Sequence, residues 1–253
     1  MPRNAEMNET YRKISLVVEV NTSIKYLRTG LGELQKITGA NDFYHPPLLF
    51  LANGLERLFK TMLCLNYQER TGELPTFKKL IGNKNGHDLE YLKSEVEKIV
   101  IPVERPFAFM DYELITGDEL VNRICRTLSE FGKRGRYFNL DAVLGTDQDF
   151  DCQKEWERIE SFVMEKHFGK QTYHEHLMNP QKLDFLYETS NNILVSKLES
   201  FFRALTRQFI FGNFSSNSKQ FIFEIEPFTD IEDEQLGKTN YNDFNIEQRI
   251  KRK

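Results

Sequence analysis

Three stretches of this chain set side chains where they could do chemistry. Residues 85–92 read NGHDLEYL and put His87 beside Asp88. An imidazole titrates near neutrality and a carboxylate can orient it, so the pair could serve as a general acid or base. Residues 52–60, ANGLERLFK, set Asn53, Glu56 and Lys60 at steps of three and four. On a helix these line one side, and Glu56 to Lys60 is an (i, i+4) pair in the favourable orientation. Residues 132–141, GKRGRYFNLD, gather Lys133, Arg134 and Arg136 and follow them with Tyr137 and Phe138. A guanidinium grips phosphate and a neighbouring ring can stack a base.

Each stretch also has a plain structural role. Asn85 is expected to cap a helix, which puts His87 at its second and Asp88 at its third position. There a carboxylate answers free N–H groups, and the positive helix end suits a bound anion. Glu56 and Lys60 can form a surface pair contributing about 0.2–0.5 kcal/mol. Lys133 and Arg134 suit the negative end of a helix. Arg136 and Tyr137 lie past Gly135 and begin a new segment, so ligand binding is assigned to them first. In HFGKQTYHEH, His174 and His176 stand two apart, as a ligand pair on a strand or loop would. No third ligand completes a zinc spacing, so no metal and no cofactor is expected. The chain has no Walker loop, no GxGxxG and no GxSxG, so those enzyme classes gain no support.

The elements that must carry these residues read as helix after helix. A first helix is predicted over 9–38, with Ile14, Val17, Val18, Ile24, Leu27, Leu31 and Leu34 inward and a kink at Gly30 and Gly32. A second follows HPP, with Leu48, Leu51, Ala52, Leu55, Leu58, Phe59, Met62 and Leu65 on one wide face. A third runs through NGHDLEYLKSEVEKIV. A fourth opens at TGDE, where Thr116 and Glu119 read as a capping box, and stops at Gly132. A fifth spans about 151–166, and a long sixth starts at Asn179-Pro180 and extends to Phe209. FIFEIE, residues 221–226, reads as a short edge strand or a docking segment, and the tail from Thr229 as loose.

Bulk properties narrow the class. The chain has 253 residues, 40 % of them hydrophobic and 28 % charged, with net charge −4. That is a globular composition with no global basic field, so nucleic acid would need a local patch. Cys64, Cys125 and Cys152 form no CxxC and read as reduced thiols of a cytoplasmic protein. The opening MPRNAEMNETYRK lacks a signal peptide's apolar core, and no apolar run reaches the roughly 20 residues of a membrane span.

Three of these features, in order, resemble the HEPN superfamily. LANGLERLFKTML is similar to the family's second core helix, with Glu56 and Lys60 at its Glu and Lys. GHDLEYL is similar to its His-Asp-Leu helix start, in His87, Asp88, Leu89 and Leu92. GRYFN is similar to the Arg-Tyr after the next helix, in Arg136 and Tyr137. The resemblance covers about residues 10–167, leaving 168–253 as a C-terminal helical extension. It implies an all-α, up-and-down helical bundle, often a homodimer, of the kind found in toxin–antitoxin and antiphage systems. Active members are metal-independent ribonucleases marked by an arginine, four to six intervening residues, and then a histidine. None of His45, His87, His167, His174 or His176 has that arginine. The expected function is therefore a non-catalytic module binding RNA, a nucleotide or a partner protein through Glu56, Lys60, His87, Arg134, Arg136 and Tyr137. The alternative is a divergent ribonuclease in which Arg136 stabilises the phosphate and His87 moves the proton.

Overall fold

The computed structural model describes residues 9–39, 42–100, 102, 104–146 and 149–242. Their regular structure is all helical: α1 (Glu9–Leu34), α2 (His45–Thr71), α3 (Phe77–Ile81), α4 (Leu89–Glu97), α5 (Pro106–Thr116), α6 (Glu119–Lys133), α7 (Phe138–Val143), α8 (Cys152–Phe168), α9 (Lys170–Leu177), α10 (Leu183–Phe211), α11 (Ser215–Ser218) and α12 (Ile222–Thr229). This is the expected all-α bundle. No helix among the described residues is long and apolar enough to cross a membrane.

The α1–α2 pair is the foundation. Val20, Ile24, Leu27, Leu31 and Leu34 recur at helical spacing along α1 and are buried. They meet the buried face of α2, which holds all eight of the apolar residues assigned to it. Two glycines set the distance between the helices. A Cβ on Gly30 would lie 2.7 Å from Leu51 Cγ, and one on Gly54 would lie 2.6 Å from Leu27 Cδ2. Each leucine thus fills the gap left by the other helix's glycine, and the pairing of 27 with 54 and 30 with 51 makes the helices antiparallel. Gly30 and Gly32 therefore produce no break: α1 runs through both. Gly32 instead gives room to the C-terminal segment, since a Cβ there would lie 3.2 Å from Tyr241 O. The start of α1 departs from the expected face, with Ile14 and Val18 exposed.

α4 and α6 pack on α2, α8 packs on α6, and α10 lies against α1, α5, α6 and α8. Leu194, Leu198, Phe201, Phe202, Leu205 and Phe209 of α10 are buried in the same apolar core as α1 and α2. The long helix is thus a core layer of this chain.

Several boundaries differ from the sequence reading. Thr116 ends α5, donating its hydroxyl to Tyr112 O at 2.9 Å. Asp118 caps α6 instead, accepting from Val121 N at 2.9 Å, while its other oxygen meets Lys197 Nζ of α10 at 2.8 Å. α6 continues through Gly132 to Lys133. Asn179 caps a short 3-10 turn, Pro180–Lys182, that leads into α10. The stretch assigned as a strand, 221–226, is helical: a 3-10 turn ends at Phe221 and α12 follows. Its Phe221, Ile225 and Phe228 step by four and three, so the buried face has a helix's period.

The segment after Thr229 is docked. Glu199, fully buried on α10, accepts from Tyr241 Oη at 2.7 Å and from Gly237 N at 2.5 Å. Gln35, in the turn after α1, donates to Thr239 O at 2.8 Å and accepts from Tyr241 N at 2.9 Å. The basic end, RIKRK, lies outside the described residues.

The glycine contacts make a test. Alanine in a helix is favoured over glycine by about 1 kcal/mol, whereas overpacking costs about 1–3 kcal/mol. The second effect wins where the Cβ meets a leucine branch carbon and a backbone nitrogen. Gly54→Ala and Gly30→Ala are expected to lower the urea midpoint, each costing about 1 kcal/mol or more. A stability gain from either would show that the helices have room between them.

Candidate functional site

The polar side of α2 faces the turn before α4 and the turn after α6. Glu56 is the link. Its Oε1 accepts from Lys60 Nζ at 2.6 Å, the expected (i, i+4) pair, and its Oε2 meets His87 Nδ1 at 2.9 Å. Thirty-one residues separate His87 from Glu56, so this second bond is made by the fold. The carboxylate only accepts, so the hydrogen of this bond lies on Nδ1.

The turn that carries His87 is built differently from the sequence reading. Asn85 Oδ1 accepts from His87 N at 2.9 Å, an Asx turn rather than a helix cap. Asp88 is the cap of α4 and accepts from Tyr91 N at 3.1 Å. His87 thus precedes the helix and is oriented by Glu56, not by the helix dipole. Asp88 also accepts from Ser129 Oγ at 3.1 Å and faces Lys133 Nζ at 3.6 Å, so α6 holds this turn from behind. Burial raises the Asp88 pKa, but the Tyr91 N–H, the Lys133 ammonium and the Ser129 hydroxyl outweigh it and leave it below its ordinary value.

The cations after α6 divide into two kinds. Lys133 pairs with Glu130 at 2.8 Å and Arg134 with the same carboxylate at 3.2 Å. Arg136 stands in the 3-10 turn Gly135–Tyr137 and has no ion pair among the described residues. Its Nε is buried without a hydrogen-bond partner, and its guanidinium lies 5.6 Å from the Tyr137 ring centroid. A buried N–H left unpaired is costly and marks a place for an acceptor.

These residues share one crevice, of about 10 Å³. Asn53 and Glu56 of α2, His87, and Arg136 line it, with Phe131 and Gly132 at its back. Such a volume holds about one water-sized atom, so an anion's oxygen can enter while the rest of the ligand stays at the mouth. Of the six residues assigned to binding, Glu56, His87 and Arg136 are brought together and Lys60 is tied to them through Glu56. Arg134 and Tyr137 do not line the crevice; Arg134 is held by Glu130, and Tyr137 is 55 % exposed on the outer side of the turn. Phe131 and Gly132, read in the sequence as an apolar stripe and a helix stop, line the crevice, and Ser129 holds Asp88; the sequence reading gave none of them a place at the site. Only Ser129, a small polar residue on the apolar stripe of α6, left a signal in the sequence.

His174 and His176, assigned to a strand or loop, lie on α9. The His176 ring packs against Phe168 at 5.1 Å and Phe185 at 6.1 Å. Among the described residues no three His, Cys, Asp or Glu side chains gather as a metal site. Comparison with family models, curated proteins and solved structures finds no match to this chain.

Removing the Asp88 cap tests how the turn is held. Asp88→Ala is expected to cost about 1 kcal/mol in urea unfolding at neutral pH. Because the native pKa is depressed, the charged part of this contribution is fully present above pH of about 4, the ordinary carboxylate value. It is lost as pH falls through the lower native value. The difference between wild type and variant therefore shrinks in acid. A difference that stays constant from neutral pH to pH of about 2 would contradict the pairing with Lys133 and Tyr91 N–H.

Proposed function

We propose that this chain is a HEPN-like helical module that binds a phosphodiester of RNA, or the phosphate of a nucleotide, at the crevice between α2, α4 and the turn after α6. Arg136 carries the reading. It is the cation of the cluster that no carboxylate neutralises among the described residues, and its Nε is buried and unpartnered beside an oxygen-sized opening. Lys60 adds positive charge at the same edge, and Glu56 steadies both it and His87. A charge-assisted bond from guanidinium to phosphate contributes about 1.5–3 kcal/mol, and two such bonds fit the geometry of arginine. The net charge of −4 keeps this a local patch, so binding should be weak at high salt.

The Glu56–His87 pair favours a second reading, a divergent metal-independent ribonuclease. With Nδ1 hydrogen bonded to Glu56, Nε2 can accept the proton of a ribose 2′-hydroxyl as that oxygen attacks phosphorus. The bond to the 5′ oxygen then breaks, the leaving oxygen takes a proton from solvent, and a 2′,3′-cyclic phosphate forms. Arg136 would balance the charge that gathers on the phosphoryl oxygens.

Binding of a labelled single-stranded oligoribonucleotide, followed by anisotropy at fixed salt, tests the first reading. Arg136→Ala is expected to weaken it about tenfold or more, and Arg134→Ala by less than about threefold, as an exposed pair should. Equal retention by wild type and Arg136→Ala removes the groove. Incubating the same strand in EDTA separates the second reading. A ribonuclease should lose about 10²–10⁴-fold in rate in His87→Ala, and no cleavage by wild type, or equal cleavage by both, excludes it.

A further inference from the structure

Beside the Arg136 crevice lies a second cavity, of about 160 Å³, that the reading above leaves unused. The two share Phe131 in their walls, and the turn that holds Arg136 runs from one to the other, with Gly135 and Phe138 lining the larger. Rings form much of its wall, with Leu48, Asp151 and Cys152 between them. Phe43 and His45 lie nearly parallel, at 12° and 5.9 Å, and His45 meets Phe131 edge-on at 5.0 Å. Phe138 lines it too, and Asn139 and Gln153 add amide groups. Gly135 lets the wall close: a Cβ there would lie 2.5 Å from Cys152 Sγ, so only glycine allows the turn to rest on the start of α8.

Two observations point to a ligand. Phe43 is 72 % exposed at this cavity, although burying such a ring stabilises by about 1.5–3 kcal/mol. Burial also lowers the His45 pKa from its ordinary value, which favours the uncharged ring. Size then selects the ligand class. Sites for drug-sized molecules run to about 300–1,000 Å³, so this cavity takes a single ring system. The crevice next to it takes an oxygen.

We propose that the cavity walled by Phe43, His45, Phe131 and Phe138 receives a nucleobase of the strand or nucleotide whose phosphate meets Arg136. Stacking on phenylalanine and histidine rings is how single-stranded RNA bases are held, and the Asn139 amide supplies a donor and an acceptor for a base edge. The base site stands on the cavity alone; only its coupling to a phosphate rests on the reading of Arg136.

The full chain tests it with two probes. Adenosine and cytidine, which lack phosphate, are titrated while ring resonances of Phe43 and His45 are followed by NMR. An oligoribonucleotide is then compared with the same strand carrying one abasic position. Nucleosides are expected to shift both rings in wild type and in Arg136→Ala alike. The abasic strand is expected to bind wild type about 5- to 100-fold more weakly, as loss of one stacked base predicts. In Phe43→Ala, an exposed position whose loss should leave the fold intact, the two strands should bind more nearly alike. Unshifted rings at millimolar nucleoside overturn the proposal, as does equal binding of both strands by wild type. Should nucleosides shift the rings while Arg136→Ala binds RNA as wild type does, the phosphate reading fails and the base site stands.

Discussion

The rest of the molecule depends on how closely α1 and α2 approach each other. Leu27 sits on Gly54 and Leu51 on Gly30, so the helices interlock at two points on the same seam. This contact fixes the rotation of α2 as well as its distance from α1. Once Leu51, Leu55, Leu58 and Leu65 are committed inward, the side carrying Asn53, Glu56 and Lys60 has one place to go. It faces the loop before α4 and the turn after α6. A site made from three separate stretches of chain is thus aligned by an apolar contact that none of its residues touches.

Charge then decides which of the polar residues is left for a ligand. Glu130 takes Lys133 and Arg134, and Asp88 takes the capping N–H of Tyr91, the Ser129 hydroxyl and a share of Lys133. Glu56 takes Lys60 and His87. These bonds fix the turns in place, and such half-exposed pairs add little stability by themselves. Their larger effect is to use up the carboxylates. Arg136 lies past the last of them, on a turn that Gly135 presses against Cys152, where its Nε is desolvated without being paired. A cation in that state interacts strongly with an anion that reaches it, because part of the desolvation cost has already been met in folding.

What the sequence revealed follows from the range of the interactions involved. Helical periodicity is local, so α2, α6, α8 and the apolar face of α10 could be read directly, and Glu56 with Lys60 followed from their spacing. The glycines of α1 read locally as a kink, because their meaning lies in Leu51, a residue of another helix. FIFEIE read as a strand because it is short, apolar and rich in β-branched and aromatic residues; burial of Phe221, Ile225 and Phe228, on a segment packed against α10, overrides that preference. The cap of α4 moved from Asn85 to Asp88 because two capping residues stand three apart, and only packing against Ser129 selects between them. The docking of 230–242 was hidden for the same reason, since its partners, Gln35 in the turn after α1 and Glu199 on α10, are distant in sequence.

Glu199 shows what this kind of packing requires of a charged group. Burial raises its pKa, while the Gly237 N–H and the Tyr241 hydroxyl pull it back. A carboxyl so placed needs the C-terminal segment as a source of donors, just as the segment needs the carboxyl as its anchor. The segment also crosses Gly32 on α1, on the helix whose Gly30 sets the approach of α2. The far end of the described chain therefore braces the same helix pair that orients Glu56. The N-terminal helices and the C-terminal segment are thereby parts of one mechanical frame, and the crevice at Arg136 is held by both.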